Sequence, residues 1–250
     1  MTMILSDQIS IVTGASSGLG RATALALAMS GADIALIARS AVDLAEVARE
    51  IEALGRRTLI LPLDLNDETA ISSAVTRTIQ ELGPVDILVN AAGTDVPGPV
   101  VDLTSTDWDH VLGVNLRAPF LLAKAVFPVM AQAGRGTIVN VSSVAGKRGW
   151  ANAAAYCASK FGLTGLTQSL AAEGKRHGIR ACVLFPGGMD TQWGQWTPEA
   201  RTHAHRAPVE PTRSLLPGDV ATLIVWIAAA PAELVLNEVI VTPIDEQGWP

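Results

Sequence analysis

A tyrosine and a lysine four positions apart form the most reactive pair of side chains in this sequence. Tyr156, the only tyrosine in the chain, stands four residues before Lys160. On a helix this spacing places both side chains on one face, and an ammonium group lowers the pKa of a nearby phenol below its usual value of about 10. Such a phenol is an effective general acid near neutral pH. The pair therefore predicts proton transfer to a substrate oxygen, although a solvated i, i+4 surface pair has the same pattern.

Short apolar runs alternate with longer helical patterns, and these elements must position the pair. Strands are predicted at 9–13, 33–38, 58–63, 85–89, 136–141, 179–185 and 238–242, and helices at 19–30, 41–54, 68–82, 108–133, 156–177 and 217–230. Strands that are apolar almost throughout are covered on both faces. The alternation predicts one α/β domain over residues 1–250, doubly wound, with a mostly parallel seven-stranded sheet and helices on both faces. Such sheets bind ligands beyond the carboxyl ends of their strands.

The composition favours a compact enzyme-sized domain and disfavours several other classes. The chain is 49% hydrophobic and 17% charged, which is unlike a disordered protein. A net charge of -6 disfavours binding to nucleic acid or to an anionic membrane. The two cysteines, Cys157 and Cys182, lie in apolar patterns and suggest no disulfide framework. The first residues are too polar for a signal peptide, and the longest uncharged apolar run, 220–230, is too short to span a membrane. We therefore expect a soluble, cytoplasmic protein.

A glycine-rich turn joins the first predicted strand to the first predicted helix. Residues 13–20 read TGASSGLG. Glycines allow a tight turn and a close approach of a pyrophosphate, and the following helix N-terminus offers unpaired N–H groups to that anion. A purely structural turn is the alternative, but the required strand and helix flank this one. The residues predicted to bind a dinucleotide here are Gly14, Ser16, Ser17, Gly18, Leu19 and Gly20.

These features together resemble the short-chain dehydrogenase/reductase family. The resemblance rests on the spacing Gly-x-x-x-Gly-x-Gly, on Asn90-Ala91-Ala92-Gly93, and on Ser143, Tyr156 and Lys160, in that order along the chain. It extends from about residue 9 to residue 187 and implies a Rossmann-type fold. It also implies hydride transfer between a nicotinamide cofactor and a carbonyl or alcohol, in which Ser143 orients the carbonyl oxygen and Tyr156 supplies the proton. Lys160 would lower the pKa of Tyr156 and hold the nicotinamide ribose.

Asn115 is the fourth catalytic residue that the resemblance implies. In the family this asparagine opens a helix and holds a water of a proton relay. Asparagine forms helices poorly, and its place inside the predicted helix 108–133 is a local irregularity. An ordinary polar helix position is the alternative.

The cofactor preference is predicted from the end of the second strand. Where the family's NAD-dependent members carry an acidic residue, this chain has Ala38, followed by Arg39 and Ser40. A guanidinium pairs well with a 2′-phosphate, so we expect NADP(H) in preference to NAD(H), although Arg39 as a solvated surface residue is the alternative. The resemblance adds a larger set of positions near the cofactor: Asp64, Leu65, Asn90, Ala91, Ala92, Gly93, Pro186, Gly187 and Thr191.

A long segment without periodicity, 187–216, predicts a lid over the substrate. Trp150, Met189 and Trp193, with Ser143, are the predicted substrate pocket, which would suit a medium-sized apolar or aromatic ketone or aldehyde. Tryptophans that only pin the lid to the core are an equally good explanation. No metal site is predicted, because His203 and His205 lack companion ligands.

Two other activities and a self-association remain open from the sequence. Lys147 and Arg148 follow Ser143 closely, and a 3-oxoacyl-thioester reductase would use them to meet an acyl carrier protein. A non-catalytic NADP(H)-binding regulator is the alternative of another class. The helices that begin near Trp108 and Tyr156 are apolar on more than one face, so we expect a homodimer or homotetramer that pairs them.

Overall fold

Seven parallel strands lie side by side at the centre of the computed structural model, which describes residues 3–191 and 214–246. Their spatial order is β3-β2-β1-β4-β5-β6-β7, and every neighbouring pair is parallel. The strands are β1 (Ile9–Thr13), β2 (Asp33–Ala38), β3 (Thr58–Pro62), β4 (Ile87–Asn90), β5 (Gly136–Val141), β6 (Ile179–Pro186) and β7 (Glu238–Val241). The predicted doubly wound, Rossmann-type α/β fold is confirmed, and the sheet is parallel throughout.

Helices connect the strands, and polar side chains cap several of them. They are α1 (Gly18–Met29), α2 (Ala41–Ala53), α3 (Glu68–Glu81), α4 (Ser105–Leu112), α5 (Ala118–Ala133), α6 (Ala154–Gly174) and α7 (Pro217–Ala229), with a π-helix at Gly113–Arg117 and 3-10 turns at Val144–Gly146 and Lys175–His177. The side chains of Ser40, Asp67 and Thr104 accept hydrogen bonds from first-turn N–H groups of α2, α3 and α4. Such caps satisfy donors that the helix itself leaves unpaired.

Apolar layers cover both faces of the sheet. The helices α1, α2 and α7 bury side chains such as Leu27 and Ile224 against one face. The helices α3 and α5 bury Val75 and Leu122 against the other, where Leu170 of α6 also packs. Each strand is therefore covered twice, which explains why the strands are apolar almost throughout.

The strand order changes direction between β1 and β4. From β1 the chain moves outward to β2 and β3, and then crosses back to β4 on the opposite side. The crevice at such a switch point, outside the carboxyl ends of the strands, is where open α/β sheets bind ligands. Thr13, Asn90 and Asn140 lie level at this edge in β1, β4 and β5.

Two predicted elements differ from the observed ones beyond fraying at the ends. β4 begins at Ile87 and not at residue 85, although the backbone of Asp86 already bonds to Ile9 and Thr137. The side chain of Asp86 also accepts from the N–H of Ile9 and from the guanidinium of Arg135. The predicted helix 108–133 begins earlier, at Ser105, and a π-helix interrupts it at Gly113–Arg117. A π-turn inside an α-helix is often found at a functional site.

The stretch Ser105–Ala133 is long and apolar enough to cross a membrane by length and composition alone. Core helices of globular proteins meet the same criterion, and Leu122, Ala123 and Val126 of this stretch are fully buried against the sheet. The core therefore explains the apolar residues on the side of this stretch that faces the sheet.

Candidate active site

The glycine turn packs tightly against the end of β4. Gly14 has a positive φ of 68°, and a side chain there would lie 3.0 Å from the Cα of Ala92. A Cβ on Gly20 would lie 2.2 Å from the carbonyl oxygen of Gly14, so only glycine fits. The hydroxyl of Thr13 accepts hydrogen bonds from the N–H groups of Ala91 and Ala92 at 3.1 and 3.0 Å. These contacts hold the predicted cofactor residues of both loops together at the switch point.

The N-terminus of α1 has the properties of an anion site. Gly18, with a positive φ of 52°, begins the helix, followed by Leu19, and no acidic residue lies in its first turn. Ser17 is the N-cap residue, but its side chain makes no capping hydrogen bond. The Ser17 hydroxyl is therefore not used as a cap. Together with the neighbouring Ser16, it lies beside backbone N–H groups that can donate hydrogen bonds to a phosphate. The turn thus fits the pyrophosphate of a dinucleotide.

The end of β2 and the end of β3 form the predicted adenosine end. Arg39 is exposed just after β2, and Ser40 caps α2 through its hydroxyl, which accepts from the N–H of Asp43 at 3.3 Å. The backbone N–H of Asn66 donates to Asp64 at 2.9 Å, and this bond, helped by the nearby charge of Arg39, lowers the pKa of Asp64. Leu65 is buried beside it. Arg39 and Asp64 therefore flank the same corner of the crevice.

Polar side chains link the strand ends to α6. Asn90 donates to the side-chain oxygen of Asn140 at 2.7 Å, and Asn140 donates to the hydroxyl of Thr167 on α6 at 2.8 Å. The hydroxyl of Ser142 donates to the carbonyl oxygen of Lys160 at 3.2 Å. These buried bonds fix the height of α6 relative to the sheet edge.

Tyr156, Ser143 and Lys160 come together at this edge. The hydroxyls of Tyr156 and Ser143 are hydrogen-bonded to each other. The ammonium nitrogen of Lys160 lies 5.6 Å from the centroid of the Tyr156 ring and donates to the carbonyl oxygen of Val141 at 2.9 Å. Val141 ends β5, one residue after Asn140. The catalytic positions expected from the sequence therefore share the edge where the glycine turn lies.

The acidity expected for Tyr156 is wrong for this structure. Burial raises its pKa, because a phenolate at a position only 8% exposed loses its solvation, and the hydrogen bond from Ser143 lowers the pKa by less. The charge of Asp95 and the thiol of Cys157 raise it further. Burial also lowers the pKa of Lys160 to about 8, so its positive charge is easily lost.

Asn115 lies inside the π-helix and is fully engaged with its neighbours. Its amide nitrogen donates to the carbonyl oxygen of Thr94 at 2.8 Å and to the hydroxyl of Ser159 at 3.0 Å. Its amide oxygen accepts from the N–H of Thr94 at 2.8 Å. Ser159 in turn donates to the carbonyl oxygen of Tyr156 at 2.7 Å. Asn115 therefore ties the loop after β4 to the turn of α6 that carries Tyr156.

Asp95 lies in the site and was missed from the sequence. It follows Gly93 and Thr94 in the loop after β4, and its carboxylate interacts electrostatically with Lys160 and Tyr156. Burial raises the pKa of Asp95 to about 6, against a smaller lowering by the N–H of Val96. A charged residue two positions beyond the apolar strand-end motif, at the carboxyl edge of a parallel sheet, was the available signal.

The turn after β6 closes the other side of the crevice. Pro186 ends β6, and a Cβ on Gly187 would lie 2.8 Å from a carboxylate oxygen of Glu246, which accepts from the N–H of Gly188 at 3.0 Å. The side chain of Thr191 faces Gly18 of the glycine turn, 3.5 Å from where a Cβ would lie. The turn after β6 is thus bonded to the segment after β7 and lies beside the glycine turn.

The predicted substrate pocket is described only in part. Met189 packs against the core and bridges to Leu215. Trp150 is 46% exposed, beside the 3-10 turn that follows Ser143. Trp193 and most of the predicted lid 187–216 lie outside the described residues, as do His203 and His205.

The charge of Lys147 is already paired with another residue of the chain. Its ammonium forms an ion pair with Glu238 of β7 and lies 4.5 Å from the centroid of the Phe185 ring. Gln168 donates to the other oxygen of Glu238 at 3.0 Å. The Nε of Arg148 is buried and has no hydrogen-bond partner among the described residues.

Known proteins match this chain over most of its length. A family model described as short chain dehydrogenase matches residues 8–201. The 3-oxoacyl-(acyl-carrier-protein) reductase FabG of Thermotoga maritima is 33% identical over 238 residues, covering 95% of this chain and 97% of that protein. The levodione reductase of Leifsonia aquatica is 37% identical over 200 residues, covering 79% and 73%. A metagenomic short-chain oxidoreductase solved with NADP has a TM-score of 0.83 at 36% identity, covering 96% of this chain and 98% of that one.

Fold, site geometry and sequence similarity agree with one another. The parallel sheet carries a glycine turn at its switch point, and a serine, a tyrosine and a lysine meet beside that turn. The family match includes all of these residues. The chain belongs to the short-chain dehydrogenase family of oxidoreductases, which act on alcohol and carbonyl groups with a nicotinamide cofactor.

Proposed function

We propose that the protein reduces a ketone or aldehyde with NADPH, and oxidises the alcohol in the reverse direction. The observation that carries this proposal is the hydrogen-bonded pair Ser143–Tyr156, with Lys160 buried beside it at the switch-point edge. When bound, the cofactor supplies the hydride. The residues Ser143, Tyr156, Lys160 and Asn115 supply the placement of the substrate and the movement of the proton.

Each catalytic residue has a separate role in this proposal. The Ser143 hydroxyl orients the carbonyl oxygen, and the Tyr156 hydroxyl donates its proton to that oxygen as negative charge develops on it. Because burial raises the pKa of Tyr156, the free protein keeps this proton on the phenol, ready to be given. The protonated amine of Lys160 offsets the charge left on Tyr156 and holds the nicotinamide ribose. Asn115 keeps α6 and the loop after β4 in register, and we propose that it also supports the return of a proton.

NADP(H) is the cofactor that the residues of the crevice favour. Arg39 is exposed just after β2. Its positive charge helps to lower the pKa of Asp64, which follows β3. The Ser17 hydroxyl makes no cap bond and lies at the start of α1. A guanidinium with a hydroxyl nearby suits a 2′-phosphate. A related structure that contains NADP supports the same choice.

The experiment that tests the function measures NADPH oxidation with a panel of ketones, aldehydes and acyl thioesters, with NADH in parallel. We expect Tyr156→Phe to lose at least about tenfold in kcat on the best substrate, because proton transfer contributes about 100-fold or more, while the Kd for NADPH changes little. A Tyr156→Phe protein that keeps most of its rate contradicts the role of Tyr156. Greater efficiency with NADH contradicts the cofactor proposal.

Reduction of a 3-oxoacyl thioester is the second candidate, supported by the relative from Thermotoga maritima. It relies on Lys147 and Arg148 to meet an acidic carrier protein. Glu238 already neutralises Lys147, which weakens this candidate. A higher kcat/KM with acyl-carrier thioesters than with simple ketones in the same panel decides in its favour.

We also propose a homodimer or homotetramer, formed through α4, α5 and α6, in the cytoplasm. The π-helix and its neighbours line an apolar groove with few polar atoms, formed by Asp109, Leu112, Gly113, Leu116, Arg117, Phe120 and Leu166. Phe120 of the groove and Phe161 of α6 are 45% and 47% exposed. A second copy of the same helices buries such a surface by symmetry.

A further inference from the structure

Asp95 occupies a fixed position at the mouth of the candidate active site. The preceding residue, Thr94, is held through both of its backbone polar groups by Asn115. Three residues beyond Asp95, the N–H of Gly98 donates to the carbonyl oxygen of Asn152, two residues after Trp150, at 2.9 Å. The loop is therefore anchored on both sides of the carboxylate.

The two oxygens of this carboxylate have different surroundings. Oδ1 accepts from the N–H of Val96 at 2.8 Å. Among residues 3–191 and 214–246, no group donates to Oδ2, and Oδ2 is not one of their buried atoms without a partner, so it is open to solvent. A donor group of a substrate can therefore take the place of solvent at this oxygen.

The charged and titratable groups that face Asp95 come from α6. The ammonium group of Lys160 attracts the carboxylate of Asp95. The negative charge of Asp95 raises the pKa of Tyr156. No other charged group among the described residues contributes to the electrostatics of Asp95. Thr94, Asn115 and Ser159 also bond the loop that carries Asp95 to the turn of α6 that carries both groups. Asp95 therefore belongs to the same site as Tyr156 and Lys160.

We propose that Asp95 is a substrate-recognition residue, and that its free oxygen accepts a hydrogen bond from a hydroxyl group that the substrate carries beside its carbonyl group. Hydroxyketones, and the corresponding diols in the reverse direction, are then the preferred substrate class. A neutral hydroxyl fits better than an ammonium group, because Lys160 already supplies a positive charge to this carboxylate. An anionic group in the same place is repelled. This inference rests on the proposed carbonyl reduction and narrows its substrates.

A matched set of aryl ketones tests the inference. We compare acetophenone, α-hydroxyacetophenone, α-methoxyacetophenone and α-aminoacetophenone as substrates with NADPH. The methoxy compound polarises the carbonyl much as the hydroxy compound does, but it donates no hydrogen bond. We expect kcat/KM to be about tenfold or more higher for the hydroxy than for the methoxy compound, which is the ratio that one charge-assisted hydrogen bond gives.

The variant Asp95→Asn isolates the carboxylate. Its amide oxygen still accepts from Val96, while its NH₂ group replaces the free oxygen, so the loop is preserved and the acceptor is lost. We expect the hydroxy-to-methoxy ratio to fall towards one. Any change in kcat that the lost charge causes through Tyr156 and Lys160 applies to all of these ketones and cancels in the ratio. The control is Asp102→Asn, an exposed carboxylate farther along the same loop, which should leave the ratio unchanged.

The possible results separate the inference about Asp95 from the proposed reductase activity. An unchanged ratio in Asp95→Asn overturns the inference and leaves the reductase proposal intact. A preference for the amino compound that Asp95→Asn removes shows that a cation, and not a hydroxyl, is recognised. A wild-type protein that reduces none of these ketones and none of the wider panel overturns the reductase proposal itself. Titration of Tyr156 supplies a readout without turnover, since Asp95→Asn should lower its pKa only if the carboxylate faces the phenol.

Discussion

At the scale of single residues, burial sets the acidity of the candidate catalytic groups. Tyr156 and Lys160 are 8% and 3% exposed, and burial shifts both towards their neutral forms, with the pKa of Tyr156 raised and that of Lys160 lowered to about 8. The sequence pattern identified the residues but not this balance, because spacing along a helix contains no information about solvation. A phenol that stays protonated in the free protein suits a proton donor.

The acidity of Tyr156 can be measured directly, because it is the only tyrosine in the chain. Ultraviolet absorbance of tyrosinate therefore reports this one group. We expect the free protein to show little tyrosinate at about pH 10, where an unperturbed phenol is half ionised. Ser143→Ala should raise the pKa further, since its hydrogen bond favours the phenolate, and Asp95→Asn should lower it, since its charge opposes the phenolate. The same protein in denaturant is the control and should titrate near about 10.

Arg39 is the residue on which the proposed cofactor preference depends. We expect Arg39→Asp to raise the KM for NADPH about tenfold or more and to lower the KM for NADH, because a charge-assisted hydrogen bond to phosphate is replaced by repulsion. Steady-state kinetics with both cofactors on one ketone measures the change. Arg49→Asp, on the exposed side of α2, is the matched control for loss of positive charge. Equal effects of the two substitutions on both cofactors count against a specific role for Arg39.

At the scale of elements, the strands were predictable and the irregular turns were not. β1, β2 and β5 have the predicted bounds, because buried parallel strands are continuous apolar runs between turn residues. The π-helix depends on hydrogen bonds from Asn115 to Thr94 and Ser159, which are 21 and 44 residues away in the chain. Helical periodicity cannot register such contacts. The glycine turn was predictable for the opposite reason, since its constraints lie within eight residues.

The π-helix should matter for both stability and activity. Asn115→Ala leaves the backbone groups of Thr94 and the hydroxyl of Ser159 without their buried partner. We expect the free energy of unfolding to fall by about 2–4 kcal/mol, measured by urea denaturation, together with a drop in kcat larger than the change in KM for NADPH. Asn237→Ala, at an exposed position, is the control and should change neither. A variant with reduced stability and full kcat at low temperature would falsify the positioning role.

At the scale of the whole molecule, the apolar surface of α4–α6 is a feature that residues 3–191 and 214–246 of one copy leave uncovered. Phe120 and Phe161 are exposed on adjacent helices, and their apolar side chains cannot be accounted for by the core. The sequence predicted self-association here from helices that are apolar on two faces. The sequence did not predict which residues line the groove, because several of them belong to the π-helix.

Substitution of the two phenylalanines tests self-association. We expect Phe120→Glu combined with Phe161→Glu to convert the oligomer to a monomer, because like charges would face each other across a symmetric contact. Light scattering after size-exclusion chromatography gives the molar mass. Val42→Glu, at a position of α2 that is 71% exposed, is the control and should keep the native mass. A wild-type protein that elutes as a monomer at micromolar concentration contradicts the proposal.

The bond between Glu246 and Gly188 makes the end of the described chain part of the crevice wall. The carboxylate crosses from the segment after β7 to the turn after β6, and a side chain at Gly187 would displace it, because a Cβ there would lie 2.8 Å from its oxygen. Chimaeras that graft the tail of a relative onto this scaffold would therefore exchange more than a terminus. They would change the turn after β6, which we propose to border the nicotinamide, so we expect tail swaps to alter selectivity while every residue of the Ser–Tyr–Lys set stays unchanged.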